Sequence, residues 1–199
     1  YFNYNPLIPL NIMEQYCSGN DFISFSGHEG STLHSFRHDE SKAIHYVEKM
    51  QSIFGKENFF VEIQNITTQN YTNADFMRHI ATKTNAKCVA TPDAHYARRE
   101  DAIDHRVLMC GALKKTLKQV EKELSLGSAV GFSTFFKTNN FHIPTVQELK
   151  DCKHTEEEIA NSVLIADMCE KYEITNRPKL PKFECPNNMS EKEYLRHLC

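Results

Sequence analysis

No stretch of this chain approaches the roughly 18 consecutive apolar residues that a helix needs to cross a bilayer, so a membrane span is not expected. The opening "YFNYNPLIPL" has neither a basic stretch nor a small-residue cleavage site, and no secretory signal is legible. It also lacks an initiator Met, which points to a chain cut from something longer. The seven cysteines are scattered, odd in number and never spaced C-x-x-C. That argues against a disulfide framework and a zinc ribbon, and for reduced thiols in a cytoplasmic protein. Walker, G-x-S-x-G, H-E-x-x-H and Rossmann signatures are absent, as are internal repeats and low-complexity segments.

What is present is an ordinary globular composition. The 199 residues are 40% hydrophobic and 25% charged, enough for a sizeable core in one domain, or one and a fraction. A formal charge of -3 excludes a surface that coats nucleic acid wholesale, though not a local basic groove. Ten histidines are many for this length, so chemistry is sought there.

Periodicity predicts an α/β order. "DFISFSG" reads as a short strand, Phe22 to Ser26, after a short helical pattern carrying Ile12, Met13 and Tyr16. "SKAIHYVEKMQSIFG" places Ile44, Val47, Met50, Ile53 and Phe54 on one helical face, closed by Gly55. "NFFVEIQ" and "KCVAT" are further strands, separated by a helix with Phe76, Ile80 and Ala81 inward. Strands alternating with helices through short connections imply parallel pairing. Beyond position 100, "REDAIDHRVLMCGALKKTLKQVEKEL" reads as one long charged helix and "GSAVGFSTFFKTNNFHIP" as loop and strand. Capping-box spacing marks helix starts at Thr145/Glu148, Thr155/Glu158 and Ser190/Glu193. Ile159, Val163, Ala166 and Met168 or Cys169 are expected to face a core, and "NRPKLPKFECPNN" is an extended linker.

Three places carry candidate chemistry. In "KCVATPDAHY", Asp93 and His95 stand two apart beyond a strand, and in an extended segment such residues project to one side. Carboxyl ends of strands are where α/β folds gather ligands, and a carboxylate with an imidazole suits a divalent metal. A turn capped by Asp93 with a surface His95 fits the same letters. His28, in "FSGHEGS", also follows a strand, between Gly27 and Gly30; it is a second donor or part of a polar turn. Glu62 lies inside the apolar "FFVEIQ", as support for a ligand histidine or as a structural carboxylate paired with a neighbour. The other histidines fit surface positions: His34, His38 and His45 near a polar helix start, His79 on an amphipathic helix, His154 and His197 in solvent. His105 and His142 match no ligand spacing.

The blocks "LIPLNIMEQYCSGNDFISFSGHEG", "QSIFGKENFFVEIQ", "KCVATPDAHYARREDAIDHRVLMCG", "FHIPTVQELKD", "EEEIANSVLIADMCEKYEI" and "LPKFECP...EKEYLRHLC" together resemble, in one collinear order, the C-family of bacterial replicative DNA polymerases. The similar region is the later half of that family's polymerase-and-histidinol-phosphatase (PHP) domain, residues 1–176 here. The linker and start of the palm region follow in residues 177–199. The resemblance implies part of a distorted seven-stranded (β/α) barrel with a metal cluster at its mouth, followed by a mainly helical C-terminal segment. Its D-x-H motif makes Asp93 and His95 ligands. His28 stands where the family has the Cys of "SGC", exchanging one good zinc ligand for another and favouring a harder ion. Zn or Mn is implied for the PHP site and Mg for the parent polymerase, with a 3′–5′ proofreading exonuclease as the PHP activity.

Implied partners are template-primer DNA and dNTPs, the sliding clamp and other replisome subunits. The family's initial H-x-H and the polymerase aspartates fall outside this sequence, so the chain alone is expected to be inactive. A half barrel with open strand edges is also expected to be unstable in isolation. Two other functions compete. A free-standing PHP-type phosphoesterase is disfavoured by the proline-linked tail from Arg177. A non-catalytic structural module is disfavoured by retention of Asp93, His95 and a competent donor at position 28.

Overall fold

The computed structural model describes residues 7–18, 21–66, 71–173, 175 and 183–199. The chain divides into two units, Tyr1–Met168 and Cys169–Cys199. The first opens with α1 (Leu10–Cys17), β1 (Ser24–Phe25), α2 (Thr32–Ser35), α3 (Glu40–Phe54), β2 (Phe59–Ile63), α4 (Tyr71–Thr84) and β3 (Lys87–Ala90). The three strands form one parallel sheet in the order β1-β2-β3, with Phe60 level with Phe25 on one side and Lys87 on the other. A parallel sheet covered on both faces needs near-continuous apolar strands, and β2 meets this: Phe59, Phe60, Val61 and Ile63 are all buried.

The core forms where α3 and α4 cover the sheet. Val47, Met50, Ile53 and Phe54 of α3 meet Ala74, Met77, Ile80 and Ala81 of α4 over Phe59, Val61 and Ile63. Asp39 caps α3 by accepting from the Lys42 N–H, and Gly55 ends it with φ 89°, open to glycine at little cost. These elements fall where periodicity puts them, with two adjustments. Met77 takes the fully buried place expected for Phe76, which is only half-buried. The first strand is two residues long rather than five; Phe22 and Phe25 are exposed at this edge of the sheet.

After a short 3-10 turn at Arg99–Asp101 come α5 (Ala102–Leu113) and α6 (Leu117–Ser125). The expected single long helix is thus two. Lys114 adopts a left-handed φ of 54°, and Thr116 starts a new helix through a capping box with Gln119. The Gly- and Phe-rich stretch that follows holds a one-turn helix, α7 (Thr134–Lys137), and a single parallel bridge from His142 to Tyr96. α8 (Val146–Asp151) and α9 (Glu156–Met168) close the unit, their starts capped by Thr145/Glu148 and Thr155/Glu158 as spaced in the sequence.

α9 packs along β3, with a face other than the apolar one expected. Glu158 and Asn161 are its buried residues, while Val163 is 60% exposed and Ala166 faces solvent. Polar bonds decide the rotation. Asn161 Nδ2 donates to the Cys88 carbonyl of β3 at 2.8 Å, and Arg78 of α4 grips Glu158. The second unit contains a 3-10 turn at Pro186–Asn188 and α10 (Glu191–Leu198), capped by Ser190 and Glu193. Phe183 stacks on Tyr194 there, with ring centroids 5.7 Å apart. The first part of the expected proline linker, 176–182, lies outside the described residues. No described helix is long and apolar enough to cross a membrane.

Candidate functional site at the strand ends

Parallel strands bring their carboxyl ends to one edge, and the candidate groups lie just past β1 and β3 and near the end of β2. Ser26 follows β1. Its N–H donates to the Phe60 carbonyl at 3.0 Å, and its hydroxyl accepts from the Glu62 N–H at 2.9 Å. Thr91 follows β3 and donates its hydroxyl to Glu62 Oε1 at 2.6 Å. Glu62 is therefore half-buried with a neighbouring partner, and the bond recorded for its carboxylate comes from Thr91 rather than a histidine.

His28 sits one turn beyond β1. Gly27 has φ 85°, and a Cβ there would lie 2.9 Å from Ser31 Cβ, so the turn requires glycine twice over. His28 is exposed, and its Nδ1 accepts from the Gly30 N–H at 2.8 Å. That bond occupies the Nδ1 lone pair and puts the ring hydrogen on Nε2, so ligation of a metal by His28 requires the Gly30 bond to break.

Asp93 and His95 do meet. Asp93 Oδ1 lies 3.3 Å from His95 Nε2, with the two side chains 36% and 37% exposed. They meet through a turn rather than the extended backbone expected: β3 ends at Ala90, and Asp93 has φ 49°. Left-handed backbone is uncommon for non-glycine residues, and Asp tolerates it better than most. An aromatic wall holds His95. Its ring stands edge-on to Phe135 (centroids 4.6 Å) and Phe141 (5.7 Å), and its N–H donates to the Phe141 carbonyl at 2.7 Å.

Sequence reasoning passed over His105, which lies beside His95 with ring centroids 5.4 Å apart. Burial, and then the neighbouring His95, push the His105 imidazole below its usual range. Three other histidines expected in solvent or without role are buried: His34, His142 and His154. His154 packs against Glu158, Nδ1 to Oε2 at 3.3 Å, in the network that docks α9. The legible clue was its place directly before a Thr-x-x-Glu capping box, which brings the carboxylate back over it.

Asp93 and His95 offer one carboxylate and one imidazole on a half-exposed edge, a donor pair suited to Zn²⁺ or Mn²⁺. Among the described residues, no three His, Cys, Asp or Glu side chains converge to hold an ion. The chain thus presents a fitting two-donor set, with His28 on a separate strand end.

No family model matches the chain. Individual proteins do. It is 30% identical to the DNA polymerase III subunit alpha of Aquifex aeolicus over 209 residues, covering 99% of this chain and 17% of that protein. The corresponding protein of Thermus aquaticus is 30% identical over 210 residues, 99% of this chain and 16% of its own length. The chain is a sequence relative of the DNA polymerase III alpha subunits. The DNA-directed DNA polymerase of Bacillus phage SPbeta is 28% identical over 82% of the chain, with 12% of its own length matched. The chain therefore spans about a sixth or less of the alpha subunits and phage polymerase that it matches.

Proposed function

We propose that this chain is the PHP-type portion of a replicative DNA polymerase, and that Asp93 and His95, with His28 as a third donor, contribute to a divalent-metal site. The observation that carries this is the Asp93–His95 pair at 3.3 Å beyond a parallel strand, in a chain similar to polymerase alpha subunits over nearly its whole length. In this reading the sheet of three parallel strands is part of the (β/α) barrel, and the helices from α5 onward lead toward the palm. The parent would extend a DNA primer from dNTPs with Mg²⁺, in the company of clamp and replisome subunits.

When bound, the PHP cation, Zn²⁺ or Mn²⁺, would act as a Lewis acid on a phosphodiester and acidify the attacking water. The protein's part is positional. Phe135 and Phe141 fix the His95 ring, the left-handed turn at Asp93 aims its carboxylate at the same point, and Glu62 buttresses Thr91 two residues upstream. The activity so supported is 3′–5′ proofreading hydrolysis.

The test is metal content and 3′–5′ exonuclease activity of the full-length parent beside its Asp93→Asn, His95→Ala variant. Loss of about one equivalent of Zn or Mn together with the nuclease, with polymerisation retained, is the expected result. Equal metal and equal nuclease in both proteins would sink the catalytic role and leave a structural module.

A further inference from the structure

The Gly- and Phe-rich stretch before α8 builds more than the wall that holds His95. Phe135 is its hub, with its ring centroid 4.6 Å from His95 and 4.7 Å from Phe141. Phe135 also meets Phe132, with centroids 6.4 Å apart and planes tilted by 31°. Phe132 is 53% exposed. The rings of Phe132, Phe135 and His95 therefore lead in two steps from an open aromatic face to the Asp93–His95 pair.

A single exposed aromatic ring is ordinary on a protein surface. This one is held out at a cost. Phe132 has a left-handed φ of 57°, an outlier for a bulky side chain, and such backbone gathers at ligand clamps. Gly131, directly before it, is not left-handed, so the strained position falls on the aromatic residue. The stretch is also braced. The Phe135 N–H donates to the Phe132 carbonyl at 3.1 Å, and Arg106 of α5 donates to the Phe135 and Thr138 carbonyls at 2.9 and 3.3 Å. Two exposed cations, Arg98 three residues past His95 and Lys137 at the end of α7, have no ion-pair partner among the described residues. Glu100 and Asp104 in the same part of the chain offset them, so charge alone selects nothing and the ring must. Exposed rings beside cations are how single-stranded nucleic acid is held, because every base has a face to stack. A paired end keeps its bases within the duplex; an unpaired end offers one.

We propose that Phe132 is the stacking platform for the unpaired 3′-terminal base of a DNA strand, which brings the last phosphodiester beside Asp93 and His95. The purpose of this contact rests on the nuclease reading above, and it makes Phe132 the residue that selects unpaired over paired ends. The contact itself is tested in the full-length parent with metal chelated, where no hydrolysis is needed. A single strand ending in 5-iodouracil, irradiated and digested, should give a cross-linked peptide at Phe132 by mass spectrometry, and Phe132→Leu should lose it. With metal restored, Phe132→Leu should raise the KM for 3′–5′ hydrolysis of single strands about tenfold. Its kcat, bound metal and primer extension should be unchanged. A strand ending in an abasic residue has nothing to stack, so wild type and variant should share one KM for it. A merely structural Phe132 would shift both substrates equally. No cross-link at Phe132, or a KM defect that persists with the abasic end, would overturn the proposal. A Phe132 cross-link in a parent without nuclease activity would support the DNA contact and sink the hydrolytic reading instead.

Discussion

Two clusters in this molecule use the same residue types to opposite ends. Beside β3, Glu158 and His154 are buried against a partly exposed Arg78: Arg78 Nε donates to Glu158 Oε1 at 2.6 Å, Nη2 to Oε2 at 3.1 Å and to the Lys153 carbonyl at 2.9 Å. Glu158 is 2% exposed and accepts from its own cap, the Thr155 N–H, at 3.0 Å. Beyond the end of the same strand, Asp93 and His95 also pair, but a third of each stays in solvent and the backbone is left-handed. A carboxylate with every lone pair answered fixes the fold. One with a single long contact on a strained, open turn is free to take a ligand.

The largest way to break that comparison is to strip the closed cluster. Arg78→Met leaves the Glu158 carboxylate buried without its cation, and should cost about 3–4 kcal/mol of unfolding free energy. Denaturant unfolding of the chain checks this through a lowered midpoint at unchanged slope. The pH dependence follows from the same group. Burial pushes the Glu158 carboxyl up, but the His154, Arg78 and Thr155 bonds together outweigh it and hold it down at about 2. The folded value lies below the ordinary 4.5, so the stabilisation is fully present above about pH 5 and is lost as pH falls toward 2. It amounts to something on the order of 3 kcal/mol. Unfolding midpoints between pH 6 and pH 3 should fall steeply in the wild type and much less in Arg78→Met. Parallel slopes would assign the acid sensitivity elsewhere.

The contrast also marks how far the letters alone carry. The β2 run, the α3 and α4 faces and the capping boxes at Thr145, Thr155 and Ser190 were legible because each rests on local periodicity or on contacts three residues apart. The rotation of α9 was not. Its apolar residues recur at helical spacing, yet Glu158 and Asn161 turn inward to partners 80 and 73 positions away, Arg78 and the Cys88 carbonyl. The break at Lys114 escaped for a related reason, since Lys is an ordinary helix former and the stop comes from the Thr116 cap after it. The Asp93–His95 pair was legible as a pair, though by a turn instead of a strand. His105, His142 and His154 were opaque because their surroundings are built by distant segments.

Asn161→Ala tests the middle ground between the clusters. It removes the 2.8 Å donation to the Cys88 carbonyl but leaves no buried charge, so the cost should be about 1–2 kcal/mol. A loss as large as that of Arg78→Met would mean that α9 is held mainly through Asn161, and that the ionic cluster is secondary.

The smallest effect is expected where function is proposed. Asp93→Gly removes the carboxylate and also relieves the left-handed backbone at φ 49°, where glycine carries no Cβ penalty. The lost contact to His95 is half-exposed and 3.3 Å long, so its removal costs little. The two changes oppose each other, and unfolding free energy should stay within about 1 kcal/mol of wild type. His95 keeps its aromatic wall and its N–H bond to Phe141, so the turn need not collapse. Metal binding by the parent should nonetheless fall at least tenfold, measured by competition with a chromophoric chelator. Stability unchanged with affinity lost separates Asp93 from Glu158 as ligand from lock. A stability loss near that of Arg78→Met would make the strand-end pair structural, and would erase the distinction between the two clusters.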